Sequence, residues 1–119
     1  AGEIAVKNAH TNAEANDVSN VTFVAGDMLK LFTPEFVQTH GRPDVLIVDP
    51  PRAGMHPKVV RQIAELRPSR FVYVSCNPLT QSRDLAALSE VYELNRMQPV
   101  DLFPHTFHIE NVARLTART

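Results

Sequence analysis

The sequence of 119 residues has a single cysteine, no tryptophan and no excess of either charge, with 12 basic against 13 acidic side chains. One cysteine can form neither an internal disulfide nor a zinc site built from several cysteines, so a reducing compartment, the cytoplasm, is expected. The apolar runs fall far short of the ~20 residues that a membrane-spanning helix needs, and no signal peptide is expected from the pattern of the first residues. A net charge of −1 gives no general attraction for nucleic acid, so such a role would need a local site.

The pattern of apolar residues predicts helices and strands in alternation, which is typical of an α/β fold with a mostly parallel sheet and helices on both faces. The run 44–48 is typical of a strand buried on both faces, and Leu85, Ala86 and Leu88 are expected to face the core. Helices are expected over residues 3–16, 28–39, 57–66 and 79–89, and strands over residues 21–25, 44–48, 70–75, 91–98 and 110–117.

Polar residues follow three of the predicted strands at their carboxyl ends, where parallel sheets bind ligands. Asp27 follows the strand 21–25, the segment 49–54 (DPPRAG) follows the strand 44–48, and the segment 75–78 (SCNP) follows the strand 70–75. In DPPRAG the two prolines keep the chain extended, so the loop can hold a flat ring, although a strand-terminating turn explains it equally well.

Cys76 lies where the chain turns from a strand into a helix. A lone cysteine is more often a small buried apolar residue than a nucleophile. Here, however, the N–H groups at the start of the helix 79–89 would stabilise a thiolate. We therefore consider Cys76 a candidate nucleophile.

The segment 101–110 (DLFPHTFHIE) combines two histidines, two phenylalanines and Glu110. Its spacing matches no zinc site, so no metal is predicted. The segment is either a structural polar loop or the source of a general base beside aromatic side chains.

Together these segments resemble the RNA uracil-5-methyltransferase family, whose members use S-adenosylmethionine to make 5-methyluridine in transfer and ribosomal RNA. The resemblance covers nearly the whole chain. It is carried by Asn12-Ala13 with Asn16, by DPPRAG at 49–54, by the segment 72–80 (VYVSCNPLT) with Arg83-Asp84-Leu85, and by the segment 99–106 (PVDLFPHT) with His108-Ile109-Glu110.

The resemblance implies a role for each matched position. Cys76 corresponds to the nucleophile and Glu110 to the base, whereas Asp49 and Asp27 correspond to contacts with the S-adenosylmethionine cofactor. Substrate contacts are expected from the same segments, at Pro50, Arg52, Thr80 and His108. For Arg52 an ordinary surface arginine is an equal alternative.

The chemistry of the reaction explains why these residue types are needed. A thiolate that adds to uracil C6 gives C5 carbanion character, which splits one difficult step into two easier ones. A base must then remove the C5 proton so that the thiol can leave, and burial against Phe103 or Phe107 would raise the pKa of Glu110 towards a useful value. The target uridine must be splayed out of its RNA to reach the site.

The sequence departs from the family by lacking a Gly-x-Gly turn and the acidic residue that holds the cofactor ribose. We therefore expect residues 1–119 to be a single partial domain, the C-terminal part of a catalytic domain without its first strand. In this superfamily that strand lies in the middle of the sheet. Its absence predicts an exposed hydrophobic edge, with rearrangement, self-association or marginal stability, and weak cofactor affinity.

Two alternatives to this enzyme remain. A methyltransferase-like binding module without catalysis would explain the missing glycine turn. An amino-directed methyltransferase also has a Pro-Pro loop after a strand, but Arg52 and the cysteine motif argue against it. Among RNA substrates, the residues after the prolines and the Pro-His-Thr segment favour ribosomal RNA over transfer RNA. The expected ribosomal substrate is 23S rRNA.

Overall fold

The computed structural model describes residues 2–17, 33–101 and 109–119. The chain divides into two compact units, Ala1–Leu31 and Phe32–Thr119. Asp27, His108 and the strand predicted over residues 21–25 lie outside the described residues. None of the helices in the described ranges is long and apolar enough to cross a membrane.

Helix α1, Gly2–Ala15, is the described part of the first unit. The structure confirms the helix predicted over residues 3–16. Its alanines, glutamates and lysine have high helix propensity, which explains why it forms. Asn16 follows the helix and its side chain donates to Asn12 O over 2.8 Å, and Asp17 then lies in the left-handed region with φ 55°. Asparagine and aspartate tolerate such a turn better than most residues.

The described residues of the second unit form three helices, each with proline in its first turn, where the missing N–H costs least. Helix α2 is Pro34–His40, so the described part of the helix predicted over residues 28–39 begins only at Pro34. Helix α3, Pro57–Leu66, has the predicted bounds. Helix α4, Pro78–Ala87, agrees with the predicted helix 79–89 within two residues at each end.

Within residues 33–101 and 109–119, four strands form a mixed sheet in the order β1-β2-β4-β3. Its strands are β1 (Val45–Val48), β2 (Arg70–Ser75), β3 (Tyr92–Val100) and β4 (Glu110–Ala117). β1 pairs with β2 in parallel, whereas β4 runs antiparallel to both of its neighbours. The α/β class is therefore confirmed.

The core lies on one face of this sheet. Phe71 and Tyr73 of β2 are fully buried, as is Leu115, the register partner of Phe71 on β4. The Phe71 ring lies 5.6 Å from that of Tyr92, and α3 adds the buried side chain of Ile63. Helix α4 lies on this face, since Asp84 bonds the Tyr73 hydroxyl.

The opposite face of β1 is exposed, so the prediction of a strand buried on both faces is wrong. Val45 and Ile47 keep 48% and 67% of their surface exposed, whereas Val48, on the other face, is buried. β1 is the edge of the described sheet, and its alternate side chains face away from the core. An unbroken apolar run does not reveal that only one face will be covered.

Near the amino end of β2, polar side chains bond to backbone carbonyls. Arg42 Nη2 donates to Arg67 O over 2.8 Å, Arg67 Nη2 donates to Arg118 O, and the Tyr92 hydroxyl donates to Pro68 O over 2.6 Å. Burial raises the pKa of Tyr92 to about 12, opposed by the charges of Arg67 and Arg42. These contacts join the segments before β1, after α3 and after β4 to one another near the start of β2.

Candidate active site

The sheet brings together two of the predicted site residues, Cys76 and Glu110. Ser75, the last residue of β2, pairs with Asn111 of antiparallel β4. Cys76 follows Ser75 directly and Glu110 precedes Asn111 directly, so each lies one residue beyond this pair. The thiol and the carboxylate therefore belong to the same edge of the sheet, although they are far apart in sequence.

The turn around Cys76 is fixed by side-chain hydrogen bonds. Ser75 Oγ accepts from Asn77 N and donates to Asn77 O, each over 2.9 Å. Asn77 then caps α4, because its Oδ1 accepts from Leu79 N over 3.1 Å. Cys76 is partly exposed between these two residues, and it is not packed in the core. This exposure leaves the predicted nucleophile accessible.

Glu110 is partly buried, and one of its carboxylate oxygens is unsatisfied. Oε2 has almost no accessible surface and accepts no hydrogen bond from the described residues. A buried carboxylate oxygen without a donor is costly, and such atoms call for an explanation in function or in a missing ligand. Glu110 therefore offers a shielded acceptor at the edge where Cys76 lies.

The loop after β1 carries Asp49, Pro50 and Arg52. Asp49 is exposed at the carboxyl end of the strand, whereas Pro50 is buried and anchors the loop. The exposed Arg52 side chain makes no hydrogen bond or ion pair with the described residues, but its carbonyl accepts from both Asn77 Nδ2, at 3.0 Å, and Thr80 Oγ1, at 2.8 Å. The Thr80 hydroxyl, predicted to contact substrate, is thus bonded within the protein.

Arg83 and Gly54 fix the second half of this loop. Arg83 Nη2 donates to Ala53 O over 3.0 Å and to Met55 O over 3.4 Å. Gly54 adopts φ +81°, and a Cβ there would lie 2.6 Å from Arg83 Nη2 and 2.9 Å from Asp84 Oδ2. Only glycine fits here without displacing these side chains.

Asp84 connects the loop, the sheet and α4. Its Oδ2 accepts from the Tyr73 hydroxyl over 2.6 Å and from Met55 N over 2.9 Å, and its Oδ1 pairs with Arg83 Nη2 at 3.1 Å. Burial, together with the hydrogen bond from Tyr73 to Asp84, raises the pKa of the Tyr73 hydroxyl far above its usual value. We call the contacts of Asn77, Thr80, Arg83 and Asp84 with the loop 52–55 the loop clamp.

The loop clamp is a structural role that the sequence prediction missed, since the prediction named Thr80 only as a substrate contact. Helix α4 buries Gln81 and Asp84, whereas Ala86, predicted to face the core, is exposed; Leu88, just after the helix, is fully buried. Two polar residues three positions apart share one helix face, which was the available signal. Among the described residues, no group of His, Cys, Asp and Glu could hold a metal ion.

Comparisons with known proteins match nearly the whole chain. A family model described as tRNA (uracil-5-)-methyltransferase matches residues 1–118. An RNA methyltransferase of Bacteroides thetaiotaomicron is 55% identical over 114 residues, which cover 96% of this chain and 25% of that protein. One from Porphyromonas gingivalis is 51% identical over 117 residues, with 97% and 25% coverage. The chain thus spans about a quarter of the length of the curated relatives it matches.

A solved structure is also similar. The tRNA (uracil-54, C5)-methyltransferase of Pyrococcus abyssi, in complex with S-adenosyl-L-homocysteine, has a TM-score of 0.80 and is 38% identical in sequence. The match covers 96% of this chain and 26% of that one.

Proposed function

This chain belongs to the tRNA (uracil-5-)-methyltransferase family, and we propose that it forms part of the catalytic domain of an enzyme that methylates C5 of uridine in RNA. One observation carries the proposal. The β2–β4 register holds a partly exposed thiol and a shielded, unsatisfied carboxylate oxygen at one edge of the sheet. A reaction that needs a nucleophile and a base on one ring requires such an arrangement.

Cys76 acts as the nucleophile in this proposal. Its thiolate adds to C6 of the target uracil, forming the S–C6 bond, while the C5=C6 electrons move towards C5 and O4. S-Adenosylmethionine, when bound, supplies the activated methyl group that C5 accepts.

Glu110 acts as the base in the second half of the reaction. Its carboxylate removes the C5 proton, the C5–H electrons form C5=C6 again, and the S–C6 electrons return to Cys76 as a thiolate. The unsatisfied Oε2 is suited to this role because no described residue occupies it with a hydrogen bond.

Asp49 and Asp27 are the proposed cofactor contacts. The exposed Asp49 carboxylate fits the cofactor in charge and hydrogen bonding, since S-adenosylmethionine is cationic at sulfur and at its amino group and carries hydroxyl donors. Asp27 remains a prediction from the sequence.

RNA is the proposed substrate, bound in part by Arg52 and His108, whereas the buried Pro50 would act by holding the loop in place. The free Arg52 guanidinium suits a phosphate group. Ribosomal RNA remains the preferred class on sequence motifs, whereas the similar Pyrococcus abyssi protein is a transfer RNA enzyme. We further propose a cytoplasmic location.

The test uses the protein at its full natural length with RNA that contains 5-fluorouridine. Fluorine at C5 cannot leave as a proton does, so we expect the wild type to remain covalently bound to this RNA on a denaturing gel. Cys76→Ala should form no adduct and should not methylate ordinary RNA. Glu110→Gln should accumulate a methylated adduct with ordinary uridine RNA.

Ser82→Ala, which changes an exposed hydroxyl on α4, is the control and should behave as the wild type. Normal methylation by Cys76→Ala would refute the covalent mechanism. No methylation of either ribosomal or transfer RNA by the wild type would favour the alternative of a binding module.

A further inference from the structure

Gln81 on α4 connects the two strands that carry the proposed nucleophile and base. The side chain is fully buried, and its amide nitrogen donates to Tyr73 O of β2 and to Asn111 O of β4, each over 3.1 Å. Both neighbours are carbonyl oxygens, so the nitrogen of the amide must face them. Tyr73 lies just before the Cys76 turn, and Asn111 directly follows Glu110.

We propose that Gln81 is a positioning residue, which reinforces the β2–β4 pairing by bonding both strands near the ends that carry Cys76 and Glu110. This inference rests on the proposed function. Gln81 touches neither substrate nor cofactor in it, because it lies on the core face of the sheet and acts through the backbone.

The other end of the amide supports a specific role for the two donors. Gln81 Oε1 is buried and accepts no hydrogen bond from the described residues. A buried amide with an unsatisfied acceptor is less favourable than an apolar side chain of the same shape. The advantage of glutamine at this position is therefore its two hydrogen bonds to β2 and β4. Leucine or methionine could not make these bonds.

The position of the strands affects the two half-reactions differently. Addition to C6 needs only the sulfur of Cys76 and the ring. Elimination also needs the Glu110 carboxylate at hydrogen-bond distance from the C5 proton while the ring is still bonded to Cys76. A displacement of β4 relative to β2 therefore slows elimination more than addition, and a shift of about 1 Å is enough for an effect of about 10²-fold.

The experiment compares Gln81→Met with the wild type in the protein at its full natural length. Methionine keeps the length and volume of the side chain but has no N–H donors. With 5-fluorouridine RNA, we expect adduct formation at a rate close to that of the wild type. With ordinary uridine RNA, we expect the methylated adduct to accumulate as in Glu110→Gln, and turnover to fall by about 10- to 100-fold. KM for S-adenosylmethionine should be unchanged.

Two further variants separate positioning from general destabilisation. Ile63→Val removes a buried methylene from α3, outside the site, and should lower the melting temperature without adduct accumulation. Gln81→Asn keeps the amide on a shorter side chain that reaches one carbonyl, so its effect should be intermediate; it also replaces Gln81→Met if that variant does not fold.

The outcomes distinguish this inference from the function on which it rests. A wild type that forms no adduct with 5-fluorouridine RNA overturns the proposed function. A wild type that forms the adduct, with a folded Gln81 variant that shows no accumulation with ordinary RNA, overturns the positioning role alone. Equal loss of addition and elimination would also overturn it.

Discussion

The two ends of strand β2 both carry polar side chains, but they use them differently. Near the amino end, Arg42, Arg67 and Tyr92 donate to backbone carbonyls. Near the carboxyl end, the loop clamp also consists of bonds to the backbone. There, however, the Cys76 thiol and Glu110 Oε2 have no hydrogen-bond partner among the described residues.

On the proposed function, this difference separates a structural end of β2 from a catalytic end. Hydrogen bonds from side chains to the backbone hold loops together at both ends, so polar residues alone do not mark an active site. What distinguishes the candidate site is the accessible Cys76 thiol together with the shielded, unsatisfied Glu110 Oε2, since an unsatisfied atom such as Gln81 Oε1 also occurs in the core. Substitutions at the amino end should therefore change stability alone, and those at the carboxyl end stability and activity together.

Asp84→Ala should have the largest effect on stability. The substitution leaves the Tyr73 hydroxyl and Met55 N–H without their acceptor and Arg83 without its ion-pair partner. We expect the free energy of unfolding to fall by about 3 kcal/mol, measured by denaturant titration. Adduct formation with 5-fluorouridine RNA should also decline, since the loop 52–55 is released.

Glu65→Ala, at an exposed acidic residue of α3, is the matched control for charge removal. It should change the free energy of unfolding by no more than about 0.5 kcal/mol. If Asp84→Ala is as stable and as active as this control, the loop clamp contributes neither to stability nor to adduct formation.

Gly54→Ala and Gly41→Ala form a matched pair, because the two glycines have nearly the same positive φ, +81° and +82°. At Gly54 the added methyl group meets Arg83 and Asp84, whereas at Gly41 nothing lies within 4 Å. We expect Gly54→Ala to cost about 2 kcal/mol or more, and to slow adduct formation.

Gly41→Ala should lower stability through its backbone alone and leave adduct formation unchanged. A Gly54→Ala protein that forms the adduct at the wild-type rate would contradict the link between the loop and the site.

Tyr92→Phe tests the amino end. It removes the hydroxyl that donates to Pro68 O, so the free energy of unfolding should fall by about 1 kcal/mol in a denaturant titration. Adduct formation should stay at the wild-type rate. A loss of activity in a stable Tyr92→Phe protein would contradict the claim that the amino end of β2 affects stability alone.

A rise in pH should have the smallest effect on stability, because nothing changes near neutrality and the loss begins only under alkaline conditions. The folded protein raises the pKa of Tyr92 to about 12 and raises that of Tyr73 as well, so it favours the neutral phenols. Their contribution is complete below the unfolded value of about 10 and is lost as pH rises above it. Melting temperatures measured against pH should fall from about pH 10, less steeply in Tyr92→Phe. A flat profile up to the pKa of Tyr92 would contradict this.

The sequence predicted the elements whose signals are local. The bounds of Pro57–Leu66, Arg70–Ser75 and Glu110–Ala117 follow from apolar periodicity and from proline at a helix start, and the structure agrees with them. Whether Val45 and Ile47 are covered depends on which other elements pack on the sheet, and nothing within residues 44–48 encodes it.

The candidate site was also predictable only where its signals are local. Cys76 and Asp49 stand at strand ends, which a sequence reveals. The roles of Gln81 and Asp84 depend on a hydroxyl, an N–H and two carbonyls from distant segments, so only the folded chain shows why helix α4 buries them. The catalytic roles of Cys76 and Glu110 stay predictions until the adduct is tested.

The conformation of the DPPRAG loop is largely specified outside the loop itself. Its carbonyls at Arg52 and Ala53 are bound by side chains of α4 and its cap, whereas the Arg52 side chain is left out of that scaffold. Transplanting the six residues 49–54 into another protein should therefore fail to reproduce their shape unless α4 is transplanted with them. Conversely, the side chain at position 52 is open to exchange without refolding the loop, and on the proposed function such an exchange would change the contact with RNA.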